Sequence, residues 1–587
     1  MDLNTIIILS TIVFIIIFLY KEIIHPAMVF VVAISFLVIT GILTPKEALL
    51  GFSNEQIATI ALLLIISKII QKTKIVEYTF SKFLKRNIGY RNFLGRMMLS
   101  VSFSSSFLNN TPIVAMLIPY VYDWGKKKNI SPSKLLIPLS YASILGGTVT
   151  LIGTSTNLVV NGLTIESGLP SLHIFDFAYV GIPAVILGIG YMVLIGHKLL
   201  PERKEAISSF LEKKKEYLVE TIIGKDSSLI GKTVEKAKLR NLKGLFLVEI
   251  IREEDRITPV SPSTILEEGD VLIFAGEVSA VTDLITSDLG LSFPEACKLE
   301  NYEKTEVVEA VIPANSLLIN KRVKDTDFRA KYDAAILAVH RNGERLTGKI
   351  GEIVLKPGDL LLVLAGKDFW KRVEDTTDIY VVSKIKEIFN IDIRKGLLIF
   401  LSFLIAIFLS ALKIIPLFSS LLILIAAFVI FKVATYSEIK RGLDLNLIII
   451  AALSLAIGKS MVSTGVAVHL AELINSVVNP FGVIGSLFGI YIITNILTEF
   501  ITNVAAASIT FPIALASATS LSVEPTAFIL AVAYGASASF LTPIGYQTNL
   551  MVYGPGGYKF KDFIKAGLPL AVIYMVLCIF ILKIIYL

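Results

Sequence analysis

Apolar residues occur along the chain in runs long enough to cross a lipid bilayer. A helical crossing needs roughly 20 mostly apolar residues, and about 17 can suffice. Ten runs meet this length, five in each half of the chain. They cover residues 4–20, 26–43, 56–71, 134–160, 176–198, 396–412, 416–434, 445–463, 526–552 and 567–586. The pattern predicts a polytopic α-helical membrane protein of ten crossings.

Between the third and fourth run of each half lies an apolar stretch with a polar centre. Residues 92–122 carry Asn-Asn-Thr-Pro near their middle, and residues 482–520 carry Thr-Glu-Phe-Ile-Thr-Asn. A lipid-facing helix would leave these groups unsatisfied, whereas a re-entrant hairpin can bury its tip in protein or in a cavity. We therefore predict one hairpin in each half. Five crossings plus one hairpin place the second half upside down, as an inverted repeat.

Basic residues in the short loops are distributed unevenly between the two predicted sides of the membrane. One side carries 19 of them and the other carries four. Because cytoplasmic loops are enriched in Lys and Arg, this count predicts both termini outside and residues 201–395 in the cytoplasm, in a cell inner (plasma) membrane. It also explains the net charge of +7 without a nucleic-acid partner.

Composition divides the chain into two membrane parts and an insert. Hydrophobic residues make up 54% and charged residues 18%, and the charges concentrate in the middle of the chain. The predicted parts are a first transmembrane repeat at 1–200, a connector at 201–218, two soluble domains at 219–298 and 302–380, and a second transmembrane repeat at 396–587. Cys297 and Cys578 are too far apart to suggest a metal site or a disulfide framework.

The two halves share sequence as well as pattern. Residues 152–162 (IGTSTNLVVNG) match residues 544–554 (IGYQTNLMVYG) at 7 of 11 positions. In both hairpins an asparagine, Asn110 or Asn503, precedes a proline by nine residues. Close helix packing explains small residues, but it does not explain paired asparagines at matching depth. Repeated polar breaks in inverted halves predict a binding site near the bilayer midplane.

The chemistry of this site is bounded by its lack of charge. Glu499 is the ionisable residue at the hairpin centres, which otherwise offer amides, hydroxyls and backbone dipoles. Neutral oxygens suit a hard cation such as Na⁺, and broken helices supply N–H groups for an anion. An anion held without a basic side chain needs a neutralising cation, so the pattern favours sodium-coupled anion uptake. We expect Glu499 to accept a backbone N–H, with direct Na⁺ coordination as the alternative.

Each hairpin tip carries a short Asn/Thr motif, and a Gly-containing segment follows further along the chain. The tip motifs are Asn109-Asn110-Thr111 and Thr502-Asn503-Val504, and the later segments are 150–157 (TLIGTSTN) and 542–549 (TPIGYQTN). These motifs resemble those of the divalent anion:sodium symporters, which carry dicarboxylates, citrate or sulfate. The resemblance covers both membrane parts. It implies a homodimer and an elevator movement, in which the hairpins and broken helices slide against a scaffold.

By position, the resemblance implies two sodium sites and one anion site between the tips. The first sodium site comprises Ser105, Asn109, Asn110 and the carbonyl near Val149. The second comprises Thr498, the Ile501 carbonyl, Asn503 and the carbonyl near Leu541. The residues expected to contact the anion are Asn110, Thr111, Thr150, Thr502, Asn503, Thr542 and Pro543. Sodium is the coupling ion, and no other metal, cofactor or catalytic residue is implied.

The tips depart in places from the family motif, which reads Ser-Asn-Thr at each tip. Asn109 stands in place of the first serine, and Val504 in place of the last threonine. The missing hydroxyl lowers the polar capacity of the second tip. We therefore expect a compact tetrahedral anion such as sulfate ahead of a dicarboxylate such as succinate or citrate.

The insert contains two similar units. In each unit a Gly-Asp pair, at Gly269 or Gly358, precedes an apolar β-type run, as a turn that feeds a strand would. The units resemble the C-terminal ligand-sensing (RCK-C) domain of potassium-transport regulators, in tandem. No dinucleotide-binding glycine fingerprint accompanies them. The resemblance implies either a sensor of a cytosolic small molecule or a dimerisation element.

Two other classes of function compete with the symporter. An oxyanion efflux permease, or a channel-like permease, shares a related hairpin architecture and would not depend on sodium. An enzyme would need a nucleophile–base pair, a metal-ligand cluster or a phosphate-binding loop, and none of these patterns occurs in the sequence. Sodium dependence therefore separates the leading prediction from its alternative.

Overall fold

Helices form both terminal parts of the protein in a computed structural model, as the apolar runs predict. The residues described are 2–21, 23–84, 88–203, 218–239, 245–252, 255–257, 259–276, 291–292, 307–314, 316–341, 344–346, 350–366, 368–374, 376, 378–382 and 393–587. The predicted connector at 201–218 lies mostly outside these residues.

The first half consists of eleven described helices, the last of which continues α10 through a π-helical turn. They are α1 (Leu3–Tyr20), α2 (Pro26–Ile39), α3 (Pro45–Leu49), α4 (Glu55–Lys72), α5 (Ile75–Phe83), α6 (Tyr90–Ser105), α7 (Asn110–Lys127), α8 (Leu136–Gly147), α9 (Ser155–Glu166), α10 (Ala178–Tyr191) and α11 (His197–Leu199). The predicted first hairpin corresponds to α6 and α7. The predicted fourth run is broken between α8 and α9.

The insert contains two antiparallel five-stranded sheets with separate apolar cores. The first sheet comprises β1 (Leu218–Ile223), β2 (Leu245–Arg252), β3 (Asp255–Ile257), β4 (Val271–Gly276) and β5 (Leu291–Ser292). The second comprises β6 (Val307–Val311), β7 (Ala334–Arg341), β8 (Glu344–Arg345), β9 (Leu360–Ala365) and β10 (Tyr380–Val381), with the short helices α12 (Phe328–Tyr332) and α13 (Phe369–Glu374).

The two sheets have the same strand order, β3-β2-β4-β1-β5 and β8-β7-β9-β6-β10. Each also contains the same ion pair next to its Gly-Asp turn. Arg252 binds the buried Asp270 carboxylate through two nitrogens at 2.9 Å, and Arg341 binds the buried Asp359 carboxylate at 2.7 Å. Two parallel N–H···O bonds hold each turn in a fixed geometry. The sequence similarity of the two units thus has a structural counterpart.

The second half repeats the helix order of the first. Its helices are α14 (Ile393–Ala411), α15 (Leu417–Ile430), α16 (Tyr436–Gly442), α17 (Leu445–Ser463), α18 (Val466–Val478), α19 (Gly482–Thr498), α20 (Asn503–Ser520), α21 (Thr526–Ser537), α22 (Gln547–Tyr553) and α23 (Phe560–Tyr586). Each of α1–α10 therefore has a counterpart at the same place in the order. Even the capping boxes recur, with Thr44 and Glu47 at the start of α3, and Thr435 and Glu438 at the start of α16.

Helix length and hydropathy agree with a membrane protein. Six described helices are long and apolar enough to cross a membrane, or up to eight if each of two bent helix pairs forms one crossing. Every predicted run contains a described helix. The runs do not predict α5 and α18, because these helices have 9 and 13 residues and are shorter than the roughly 17 that a crossing needs.

At the centre of the molecule, helices of each half pack against helices of the other half. In the first half the turn after α3 packs on α17, and in the second half α16 packs on α4. Glycines make both approaches possible. A Cβ at Gly51 would lie 2.0 Å from the Ala452 carbonyl oxygen, and one at Gly442 would lie 2.9 Å from the Ile65 Cα. Likewise α9 packs on α20 and α21, and α22 packs on α7 and α8.

The insert packs directly on the membrane part. The connector beyond α11 is held by Ser131, whose hydroxyl donates to the Arg203 carbonyl at 2.6 Å, and by an Arg203–Asp562 ion pair at 2.7 Å. The turn at Gly358 lies against α22, where a Cβ on Gly358 would approach the Leu550 side chain to 2.9 Å. The second sheet is therefore in contact with a broken helix of the membrane part.

We expect Gly51→Ala to lower the free energy of unfolding by about 1–3 kcal/mol, because the added Cβ would overlap the Ala452 carbonyl. Thermal melting of the purified protein in detergent measures this change. Gly190→Ala is the matched control, since nothing lies within 4 Å of a Cβ at that helical position. Equal melting temperatures for the two variants would contradict the close approach of α17.

Candidate functional site

The first tip is the turn between α6 and α7. The Ser105 hydroxyl donates to the side-chain oxygen of Asn110 and lies 3.2 Å from the Ser143 hydroxyl in α8. Thr150, in the break after α8, donates to the Ser106 carbonyl. All five side chains are buried. The structure therefore places Ser105, Asn110 and Thr150 close together around the first tip.

The second tip, between α19 and α20, repeats this arrangement. The Thr498 hydroxyl donates to the Ala536 carbonyl at 2.7 Å and lies 3.0 Å from the side-chain oxygen of Asn503. The Ser539 hydroxyl lies 3.4 Å from that of Thr498. Thr502 caps the start of α20 by accepting a backbone N–H from its first turn. The two tips thus share a hydroxyl–asparagine pair attached to a neighbouring helix.

An asparagine ties together the backbone of each broken helix. The Asn157 side chain donates to the Thr150 carbonyl at 2.9 Å. The Asn549 side chain donates to the Thr542 carbonyl at 3.0 Å and to the Ser539 carbonyl at 2.8 Å. Unpaired backbone carbonyls inside an apolar bundle would cost several kcal/mol each. These asparagines stabilise the breaks, which explains their recurrence in the two repeated segments.

Glu499 fastens the second tip to the second break. Its carboxylate accepts the backbone N–H groups of Leu541 and Thr542, each at 2.9 Å. The Thr542 hydroxyl donates to the Glu499 carbonyl at 3.0 Å in return. The side chain is buried, with 4% of its surface exposed. Acceptance of a backbone amide, the expectation from the sequence, is confirmed.

Side chains from the second break reach the first tip. The Asn110 amide donates to the Tyr546 hydroxyl, and the Thr111 hydroxyl donates to the Gln547 side chain at 2.9 Å. The Tyr546 hydroxyl also lies 3.3 Å from that of Thr154. Tyr546 and Gln547 were not among the predicted site residues, although the repeat alignment marks both, as mismatches against Thr154 and Ser155.

The other predicted residues lie in the same turns and breaks. Asn109 precedes α7 as its N-cap, without a side-chain capping bond. Val149 and Leu541 lie in the breaks and are partly buried, Pro543 lies next to Thr542 and is buried, and Ile501 is buried in the second tip. Among the described side chains, hydrogen bonds from Asn110 and Thr111 join the first tip to the second break. None joins Asn110 directly to Asn503.

A small cleft opens between α4 and the first tip. Its polar lining includes Asn109 of the tip, together with Thr154 and Ser155 at the start of α9. Apolar side chains of α4, including Leu63 and Leu64, form the facing wall. Polar groups of the first break therefore line open space as well as packed protein.

Polar helix breaks inside an apolar bundle, each facing an asparagine-bearing tip, are features of secondary membrane transporters. The chain belongs to the citrate transporter family (CitMHS), whose family model matches residues 12–533. The resemblance found in the tip motifs is thereby confirmed at the level of the family. Membership identifies a transporter and not an enzyme.

Alignments with several similar proteins cover almost the whole chain. One, from Chlamydomonas reinhardtii, is named for sulfur deprivation response regulation and is 35% identical over 92% of this chain and 94% of its own. An uncharacterized transporter of Synechocystis is 33% identical over 92% and 90%. Sodium/sulfate cotransporter 2 of C. reinhardtii is 25% identical over 95% and 87%. The solved structure of S. agalactiae BusR with promotor DNA matches 34% of this chain and 97% of its own at 16% identity, with a TM-score of only 0.13.

We expect Glu499→Gln to lower the free energy of unfolding by about 1–3 kcal/mol. The reason is that an amide nitrogen, a donor, would then face a backbone N–H of Leu541 or Thr542. Chemical denaturation in detergent measures the change. Glu472→Gln, at a side chain that is 65% exposed in α18, is the control and should match the wild type. Equal stability of the two variants would contradict the role given to Glu499.

Proposed function

We propose that this protein takes up a divalent anion together with sodium across the cell inner membrane, with sulfate favoured over dicarboxylates such as succinate or citrate. The observation that carries the proposal is the chemistry of the two tips and breaks. Their described residues include no Lys, Arg or His, and the one carboxylate, that of Glu499, already accepts two backbone N–H groups. A bound anion must therefore rely on helix N-termini and on co-bound cations.

The sodium ions are proposed to bind one at each tip. The first site uses Ser105, Asn109, Asn110 and the Val149 carbonyl. The second uses Thr498, Asn503 and the carbonyls of Ile501 and Leu541. Support comes from the paired contacts Ser105–Asn110 and Thr498–Asn503, since each places two side-chain oxygens within reach of one small cation.

The anion is proposed to bind between the tips, near the N-termini of α7, α9 and α20. Its contacts would be Asn110, Thr111, Thr150, Thr502, Asn503, Thr542 and Pro543. The preference for sulfate rests on Val504, a buried apolar side chain where a hydroxyl would serve a second carboxylate. The names of two C. reinhardtii relatives, sodium/sulfate cotransporters 1 and 2, point in the same direction.

The membrane part is proposed to be an inverted repeat of five crossings and one re-entrant hairpin per half, working as a homodimer by an elevator movement. The matching order of α1–α10 and α14–α23 supports the repeat. Both termini are proposed to lie outside and the insert inside. In support, the insert and its connector contact loops with many basic residues, through Ser131 and Asp562.

The insert is proposed to regulate transport as a tandem pair of RCK-C-like domains that bind a cytosolic small molecule. Its second sheet contacts α22, which begins at the anion site. The Gly358 turn lies against Leu550, and the exposed pair Lys559–Glu344 at 2.9 Å spans the same junction. A ligand that moved the Gly358 turn would therefore act directly on α22, with no intervening element between the insert and the transport site.

Uptake of radiolabelled sulfate into proteoliposomes tests the transport proposal. We expect an inward sodium gradient to drive accumulation, and Asn110→Ala and Asn503→Ala each to lower the initial rate at least tenfold. The physical reason is that each change removes a proposed sodium ligand and one hydrogen-bond partner of a buried hydroxyl. Asn4→Ala, at an exposed position of α1, is the matched control and should transport normally.

Uptake that proceeds equally without sodium would replace the symporter with the alternative, an oxyanion efflux permease or a channel-like permease. Transport of succinate that sulfate fails to inhibit would instead reverse the proposed order of substrates. The two results are distinguishable in one set of vesicles.

A pair of glycine variants tests the contact between the insert and α22. Gly358 and Gly269 occupy the same turn in the two sheets, with φ of +79° and +82°, so alanine strains both backbones alike. A Cβ meets Leu550 at Gly358, whereas nothing lies within 4 Å at Gly269. We expect Gly358→Ala to raise the sodium-dependent uptake rate at least twofold by loosening α22, and Gly269→Ala to leave it unchanged. Equal rates in the two variants would remove the proposed coupling.

A further inference from the structure

The two broken helices have the same backbone but different side chains at one position. Thr154 and Tyr546 are equivalent in the repeat, and each precedes the second part of its broken helix. Their backbone angles are nearly equal, with φ of −140° and ψ of 146° at Thr154, and φ of −139° and ψ of 139° at Tyr546. The asymmetry between the two breaks at this position therefore lies in the side chain.

The Tyr546 side chain extends from the second break into the first half. Its hydroxyl accepts the Asn110 amide and lies 3.3 Å from Thr154. The residue is 8% exposed, so its ring occupies the interior beside the first tip. Next to it, Gln547 accepts the Thr111 hydroxyl at 2.9 Å. Asn110 and Thr111, both proposed anion contacts, thus bind this segment in the described structure.

We propose that Tyr546 is the residue that sets the length of the anion that this transporter accepts. The inference rests on the anion site proposed above. Because its oxygen already accepts the Asn110 amide, the phenol can donate its own hydrogen to a bound anion. It is a neutral donor in a site without basic side chains. The Tyr546 ring also occupies more volume than the Thr154 side chain does at the equivalent position of the first half.

This arrangement favours one class of substrate, the compact tetrahedral dianion. Such an ion presents all its oxygens around one centre and can contact the first tip and the phenol together. A dicarboxylate separates its two charged groups by a carbon chain, and the Tyr546 ring occupies the space into which that chain would extend. Such a site excludes the longer dicarboxylate by volume and stabilises the compact dianion by a hydrogen bond, so two effects discriminate between the anions.

Kinetics of the full-length protein in proteoliposomes test the inference with two substitutions. Tyr546→Phe removes only the hydroxyl, and we expect the KM for sulfate to rise about threefold to tenfold, while the half-saturating sodium concentration stays unchanged. Tyr546→Thr copies the first half and opens the site, and we expect succinate to inhibit sulfate uptake at concentrations at least tenfold lower than in the wild type. Tyr553→Phe, two turns further along α22, is the control and should behave as the wild type.

Each result decides a separate point. Wild-type protein without sodium-driven sulfate uptake would overturn the proposed function, and the role of Tyr546 with it. Normal wild-type uptake, with an unchanged sulfate KM in Tyr546→Phe and continued rejection of succinate by Tyr546→Thr, would overturn the role of Tyr546 alone. A rise in the half-saturating sodium concentration equal to the rise in sulfate KM would assign Tyr546 to a sodium site and would also overturn the inference.

Discussion

The structure depends on satisfying the backbone groups that two broken helices expose within an apolar bundle. Lipid offers no hydrogen bonds, so every freed N–H and C=O must find a partner in the protein. Asn157 and Asn549 supply donors to the freed carbonyls, and Glu499 supplies acceptors to freed N–H groups. With these contacts in place, polar atoms can be held at a depth where an ion can be stripped of water and still be stabilised.

The same requirement shapes the chemistry of the site. Side chains that satisfy backbone groups at the described tips and breaks carry amides or hydroxyls, apart from Glu499, whose carboxyl oxygens each accept a backbone N–H. What remains available to a solute is oxygen lone pairs and helix N-termini, which suit small cations and anions bound side by side. In the proposed symporter each ion would offset the desolvation of the other, because neither would meet a fixed opposite charge. The proposed coupling would then be an electrostatic consequence of shared burial.

Much of this could be predicted from the sequence, because its strongest signals are local. Apolar runs marked the long apolar helices, and the motifs at Asn110 and Asn503 lie at the turns between α6 and α7 and between α19 and α20. Contacts between the halves have no local signature, and for that reason the approach of Gly51 to α17 and the reach of Tyr546 to the first tip were missed. The amphipathic α5 and α18 were missed for a different reason, since their 9 and 13 residues are fewer than the roughly 17 that a crossing needs.

The packing of helices from one half against the other half also has a consequence for how the protein is made. The first half leaves the ribosome with α7 and α8 lacking α22, and with α9 lacking α20 and α21. Before those partners appear the cell must translate the whole insert, which takes roughly 10 to 40 s at about 5–20 residues per second. During that interval the break after α8 sits in the membrane without its complement. Biogenesis thus includes a waiting period in which the first half is inserted but unfinished, and its protection then falls to lipid, to translocation machinery or to the emerging sheets of the insert.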